Sequence, residues 1–353
     1  MKVFLGPQDV AGQTAALSRA LRDIGIKAIS VSYINPRGFL VDKFLSNKTL
    51  PENKLLRLIS KSSMALKMSR YLFSYDVYHF LMMNSLFKRN HLDLPVLQLL
   101  KKKILMEMCG DEVRIPPIAI KKNPYIKYYY ETKDVYFYTE CAGNIDFLIQ
   151  RMKYVSKYIK TITVADHELY EYVMPYFNRV EFVKQPIDLS RMKPVYPDKN
   201  NKKPVIAHAP SKKNQKGTSF VIQAVDNLKR KGLEFEFVTP QRLLSQVEAW
   251  DFMSKADIVI DQLLLGTHGS QSLEVMALGK PVICYIRDDL VEKYPKDMPI
   301  FNANPDNIEE KLELLIKNPE IRHELGVKSR QYVEKYHDSV KIAKQLIEIY
   351  KTL

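Results

Sequence analysis

The chain has 353 residues, 46% of them hydrophobic and 27% charged, with 54 Lys and Arg against 40 Asp and Glu for a net charge of +14. Such a composition excludes a disordered or collagen-like chain, and no apolar run reaches the ~18 residues that would span a bilayer. Three cysteines, Cys109, Cys141 and Cys284, are too few and too scattered for a disulfide framework or a cysteine metal site, and fit a reducing, cytoplasmic setting.

The length suits two domains, each with its own core. "KVFLG" at the start reads as a strand rather than the apolar stretch of a signal peptide. The loop "PQDVAGQ" places Gly12 near the N-terminus of a helix from about Gln13 to Ile24, which Gly25 ends before the strand "KAISVSY". Residues 34 to 74 give only mixed helix and loop. "YDVYHFL" (75–81) and "KKILMEM" (102–108) are buried-strand candidates, the second leading into polar "CGDEVR". An amphipathic helix is predicted from Asp146 to Tyr158, followed by short strands in "TITVA" and "VEFVKQP". Residues 185 to 204, dense in Pro, Lys and Asn, read as a linker.

The second half alternates more regularly. Strand "VIAHA" leads through the loop "PSKKNQKGTS" to a helix ending near Lys231. Strand "FEFVT", a helix around Leu243 to Ser254 and strand "DIVID" follow. The loop after "DIVIDQ" carries Gly266, Gly269 and Ser270, and Ser270 can cap a helix running to Gly279 ahead of strand "PVICYI". Helices are predicted from about Pro305 to Lys317, Pro319 to Tyr336 and Val340 to Thr352. Strands alternating with helices imply an α/β fold with parallel sheets covered on both faces, in two Rossmann-like domains. Their expected limits are 1–188 and 189–337, with a helix at 338–353 returning towards the first.

"SLEVMALGKPVI" and "HAPSKKNQKGTSFVIQAVDNLK" resemble the donor-binding helix and the basic phosphate loop of GT-B glycosyltransferases, especially family 4. The stretch "NPEIRHELGVKSRQYVEKYHDSVKIAKQLIEIY" resembles that family's C-terminal helices. The resemblance implies GT-B architecture, with the two parallel sheets facing a central cleft, and a sugar transferred from a nucleotide diphosphate. Glu274, in the first turns of its helix, can accept both hydroxyl protons of a ribose. Gly269 and Ser270 let backbone amides approach a diphosphate. Lys213 and Lys216, ahead of Gly217, would stabilise the leaving group as its charge develops, and take the catalytic role. Ser211 stands before them, and Thr239 at the strand edge where a base would lie. Gly12 completes the donor-binding set from the first half.

Two departures from the family stand out. Eight positions before Glu274, where relatives often carry a sugar-binding glutamate, stands Gly266; Gln262, His268 or backbone amides must serve instead. Where many relatives carry a histidine, on a strand resembling "ILMEM", this chain offers Glu107 as the catalytic candidate, with His208 and His268 expected in the cleft. His79 reads as a core histidine. No DxD triplet occurs, so neither a metal nor another cofactor is expected.

Residues 84 to 130 hold nine basic and four acidic side chains among leucines and aromatics. The basic excess with no nucleic-acid motif suggests either a solvated basic face over a core that holds the tyrosines, or an anionic membrane surface met by Leu86, Phe87, Tyr125 and Tyr128 to Tyr130, and no nucleic acid. The expected protein is a cytoplasmic glycosyltransferase, with a peripheral place on the inner face of the plasma membrane. The resemblance implies retention of anomeric configuration, and the missing DxD metal independence, with a saccharide or lipid-linked glycan acceptor in cell-surface polysaccharide or glycoconjugate synthesis. A nucleotide-sugar 2-epimerase and a non-catalytic glycan-binding protein are the alternatives.

Overall fold

The computed structural model describes residues 1–35, 37–46, 53–88, 90–131 and 145–353. They form two compact units. Met1–Arg114, Asn144–Pro186 and Ser339–Leu353 make the first; Ile115–Gly143 and Ile187–Asp338 make the second. Residues 115 to 131 therefore pack with the second unit, although they lie inside the stretch that a linear reading assigns to the first.

The first unit is built on a seven-stranded parallel sheet. Its order is β3 (Lys43–Ser46), β2 (Lys27–Ile34), β1 (Lys2–Leu5), β4 (Val77–Leu81), β5 (Lys103–Met108), β6 (Thr161–Val164) and β7 (Arg179–Phe182). Every residue of β4 is buried, as in a parallel strand covered on both faces, and that is why it reads as an unbroken apolar run. On one face α1 (Gln13–Asp23) and α15 (Ser339–Thr352) cover Val3, Leu5, Val77 and Leu105. The other face carries the Phe4, Tyr78 and Phe80 rings, with Tyr71 and Tyr75 packed on Phe4 at 5.3 and 5.7 Å. The remaining described helices are α2 (Lys54–Ser69), α3 (Asp93–Leu99), α6 (Ile145–Tyr158) and α7 (His167–Val173).

The described part of residues 34 to 74 holds more regular structure than its sequence suggests. It contains β3 and the sixteen-residue α2, whose N-terminus is capped by the Asn53 side chain accepting from the amides of Leu55 and Leu56.

The second unit has a five-stranded parallel sheet ordered β12 (Phe301–Asn302), β11 (Val282–Cys284), β10 (Ile258–Ile260), β8 (Val205–His208) and β9 (Glu236–Val238). Its helices are α4 (Pro116–Lys122), α5 (Ile126–Tyr130), α8 (Lys213–Lys216), α9 (Thr218–Arg230), α10 (Gln246–Ser254), α11 (Ser270–Ala277), α12 (Asp288–Val291), α13 (Ile308–Lys317) and α14 (Pro319–Tyr336). One core lies under α11 and α14, around Val259, Leu273, Met276 and Val333. The other lies under α9 and α13, around Ile206, Val221, Ile260 and Leu312. In such a sheet the connections run to opposite sides of a switch point, here between β8 and β10, and ligands bind beyond the carboxyl ends of those strands.

Candidate functional site

The loops leaving β8 and β10 meet at this switch point. After β8 the lysine-rich segment forms the single helical turn α8, stopped by Gly217 at φ 75°, before α9 begins at Thr218. Lys216 Nζ lies 2.6 Å from Asp261 Oδ1 and 2.8 Å from Gln262 Oε1. Asp261 is fully buried, and its other oxygen accepts from Ser272 Oγ in α11 at 2.6 Å. Gln262 Nε2 donates to the Thr267 carbonyl at 2.5 Å, tying the lysine to the glycine loop as well. An ammonium group has three donors, and the protein engages two of those on Lys216. The sequence flags Lys216 and Gln262 but not Asp261 or Ser272. The signal for Asp261 is a carboxylate closing an apolar strand beside a lysine loop.

Gly269, in extended conformation, is the N-cap residue of α11, one position before the expected cap, and Ser270 is its first helical residue. Glu274 stands in the second turn, half-buried, and accepts from Gln246 Nε2 at 3.0 Å. Gln246 is held at the start of α10 by a capping box between Ser245 and Glu248. Ser211, Lys213 and Thr239 are exposed. Gly266 is left-handed (φ 79°), and a Cβ there would come within 2.6 Å of Arg287 Cγ and 3.1 Å of Asn123 Nδ2. Close packing accounts for that glycine. His268 is 9% exposed, its ring 5.2 Å from that of Tyr294.

His208 corrects an expectation. It is fully buried, its Nδ1 2.9 Å from the Ile260 carbonyl and its Nε2 2.8 Å from Thr218 Oγ1. Burial pushes its pKa down to about 4, so the ring is neutral and serves to tie β8, β10 and α9 together.

Two predicted site residues belong to the first unit. Gly12 is the left-handed N-cap of α1, and its amide donates to Asp9 Oδ2 at 2.7 Å. The buried Asp9 also accepts from the Thr14 amide at 2.9 Å, so the N-terminus of α1 is already occupied by a carboxyl group of the chain's own. Glu107 is 4% exposed and faces His79 Nε2 at 3.5 Å, while His79 Nδ1 lies 2.7 Å from the hydroxyl of Tyr350 on α15. Glu107 is thus one member of a buried polar group beneath a helix. "GDEVR" is also committed internally: Glu112 accepts from the Cys109 amide, and Arg114 grips Glu168 through two bonds of 2.7 and 2.9 Å.

The aromatic stretch expected to meet a membrane is used otherwise. Leu86 is fully buried and Tyr129 is 3% exposed. The Tyr125 hydroxyl donates to Asp306, its ring 5.2 Å from that of Tyr285, and Tyr128 packs on Phe220 at 5.4 Å. Asn123, fully buried, donates to the Leu264 carbonyl at 2.8 Å. Lys103 Nζ binds the carbonyls of Tyr350 and Lys351 at 2.7 and 2.9 Å, closing the end of α15.

A family model described as "Glycosyl transferase-like" matches residues 216–348. No curated protein sequence is significantly similar to the chain. Among solved structures, sucrose-phosphate synthase from Thermosynechococcus elongatus is 13% identical, over 99% of this chain and 98% of its own, with a TM-score of 0.64. Anabaena HepE, solved in complex with UDP-glucose, is 12% identical over 99% of both chains, with a TM-score of 0.60. WaaG, a glycosyltransferase involved in lipopolysaccharide biosynthesis, is 10% identical over 99% of both, at 0.57. The second unit is glycosyl transferase-like in sequence, the chain has the GT-B fold, and the protein is a glycosyltransferase.

Proposed function

We propose that the second unit holds a nucleotide diphosphate sugar at the β8–β10 switch point, and that the sugar passes, with retention and without a metal, to a saccharide or lipid-linked glycan. The observation that carries this reading is Lys216. A buried carboxylate and an amide hold its ammonium group in place and leave one of its three donors for a phosphate oxygen. Charge growing on the departing diphosphate would be met by that donor, by the exposed Lys213 and by the N-terminal amides of α11. Glu274, held by Gln246 in the second turn of α11, would accept from ribose hydroxyls.

The UDP-glucose in HepE makes a uridine diphosphate sugar the first donor to try. Incubating the protein with UDP-, GDP- and dTDP-sugars in excess EDTA should release free nucleoside diphosphate only when a saccharide acceptor is present. Activity that vanishes in EDTA and returns with magnesium would overturn metal independence. Free sugar formed without acceptor would favour the epimerase. Glu274→Ala should weaken nucleotide binding in calorimetry by about 1.5 to 3 kcal/mol with the fold intact, and unchanged affinity would remove Glu274 from the site.

A further inference from the structure

We infer that α2 is a membrane-binding helix for anionic lipid surfaces. Its fixed side faces the core: Met64 and Met68 are 6% and 0% exposed. The opposite side is also apolar, yet it is open to solvent. Leu55, Leu56, Leu58, Ile59 and Leu66 are 66, 53, 61, 57 and 76% exposed, and Phe73, just past the helix, is 68% exposed. At 3.6 residues per turn these five helical positions fall within an arc of about 160°, centred opposite the two methionines. Scattered single leucines on a surface need no explanation, but a contiguous set this large marks an interaction site.

Charge identifies the partner. From Lys54 to Tyr75 the sequence carries Lys54, Arg57, Lys61, Lys67 and Arg70 and not one acidic residue. On the helical wheel Lys54 and Lys67 border the apolar arc on its two sides, the arrangement in which leucines enter the acyl boundary while cations meet headgroup phosphates. A second copy of the chain would set two all-cationic helices against each other, whereas an anionic bilayer surface complements both the apolar arc and its charge. No helix among the described residues is long and apolar enough to cross a membrane, so attachment through α2 would be interfacial.

The test is co-sedimentation of the full chain with vesicles of phosphatidylcholine alone, or of phosphatidylcholine mixed with phosphatidylglycerol. Binding should require the anionic lipid, weaken as salt rises, and fall about fivefold for each charge removed by Lys54→Gln and Lys67→Gln, the two cations that border the arc. Leu58→Ser with Ile59→Ser should abolish it while leaving the circular dichroism and melting curve unchanged, since both side chains are more than half exposed. Lys101→Gln with Lys102→Gln, two lysines ahead of β5 that belong to neither α2 nor its bordering charges, should leave binding within about twofold. No sedimentation with anionic vesicles at low salt would overturn the inference. So would binding that survives the α2 substitutions, or self-association without vesicle binding that those substitutions abolish.

Discussion

Removing Lys216 should cost the second unit far more stability than a surface lysine would. Its side chain is 14% exposed and 2.6 Å from a fully buried carboxylate. Lys216→Met leaves Asp261 buried with the Ser272 hydroxyl but no counter-charge, a change that costs about 3 to 5 kcal/mol. Asp261→Asn removes the charge and keeps the shape, forfeiting hydrogen bonds to a charged group at about 1.5 to 3 kcal/mol. The double variant has no buried charge to compensate, so it should be more stable than the sum of the singles implies, by about 2 kcal/mol. Urea unfolding followed by tryptophan fluorescence reports on this unit specifically, because the one tryptophan of the chain, Trp250, lies in α10. Saturating UDP should stabilise the wild type, by about 2.7 kcal/mol at a hundredfold excess over its Kd, and stabilise Lys216→Met much less. A loss below about 1 kcal/mol for Lys216→Met, or additive single variants, would refute the buried pair as the device that fixes the lysine.

Gly266→Ala should lower the stability of the second unit by at least about 2 kcal/mol, since the new Cβ meets Arg287 at 2.6 Å and the left-handed backbone disfavours a side chain; a neutral result would contradict the packing described. Lys280 is 3% exposed, and burial pulls its pKa from 10.5 down to about 8. Between those values the unfolded chain holds a proton that the folded one has released, so folding is favoured as pH rises from about 8 to 10.5. Lys280→Met should therefore stabilise the protein by about 2 kcal/mol near neutral pH, with the gain shrinking at alkaline pH. Urea midpoints on either side of about pH 9 would show it, and a gain independent of pH would refute the charge-based account.

The alternation of strands and helices was legible because buried parallel strands such as β4, β8 and β10 are apolar on both faces and are punctuated by Gly, Pro and Lys. The lysine loop and the Gly269–Glu274 segment were legible for a related reason: a helix N-terminus at a strand edge has a sequence signature. What remained hidden depended on partners far along the chain. Nothing local in "DIVIDQ" says that Asp261 will hold Lys216, 45 residues earlier. Nothing in "NPYIKYYY" says that Asn123 will reach Leu264. The helix α2 was missed because periodicity is usually read on the assumption that the apolar side is the buried one. Here leucines occupy the exposed side, and adding them to Met64 and Met68 leaves no clear polar face.

The first unit contains α15, whose Ile342, Ala343, Leu346 and Tyr350 share a core with Val3, Leu5, Leu17 and Leu105. During synthesis a domain ordinarily folds once its own residues have emerged, with the N-terminal one leading. This unit cannot follow that schedule. Until residues 339 to 353 have left the ribosome, that face of its sheet has α1 but lacks the cover of α15, and His79 lacks its tyrosine partner, while every residue of the second unit has already been made. The part of the protein translated first is therefore the part completed last, and through most of translation its apolar sheet face is the surface most in need of a chaperone.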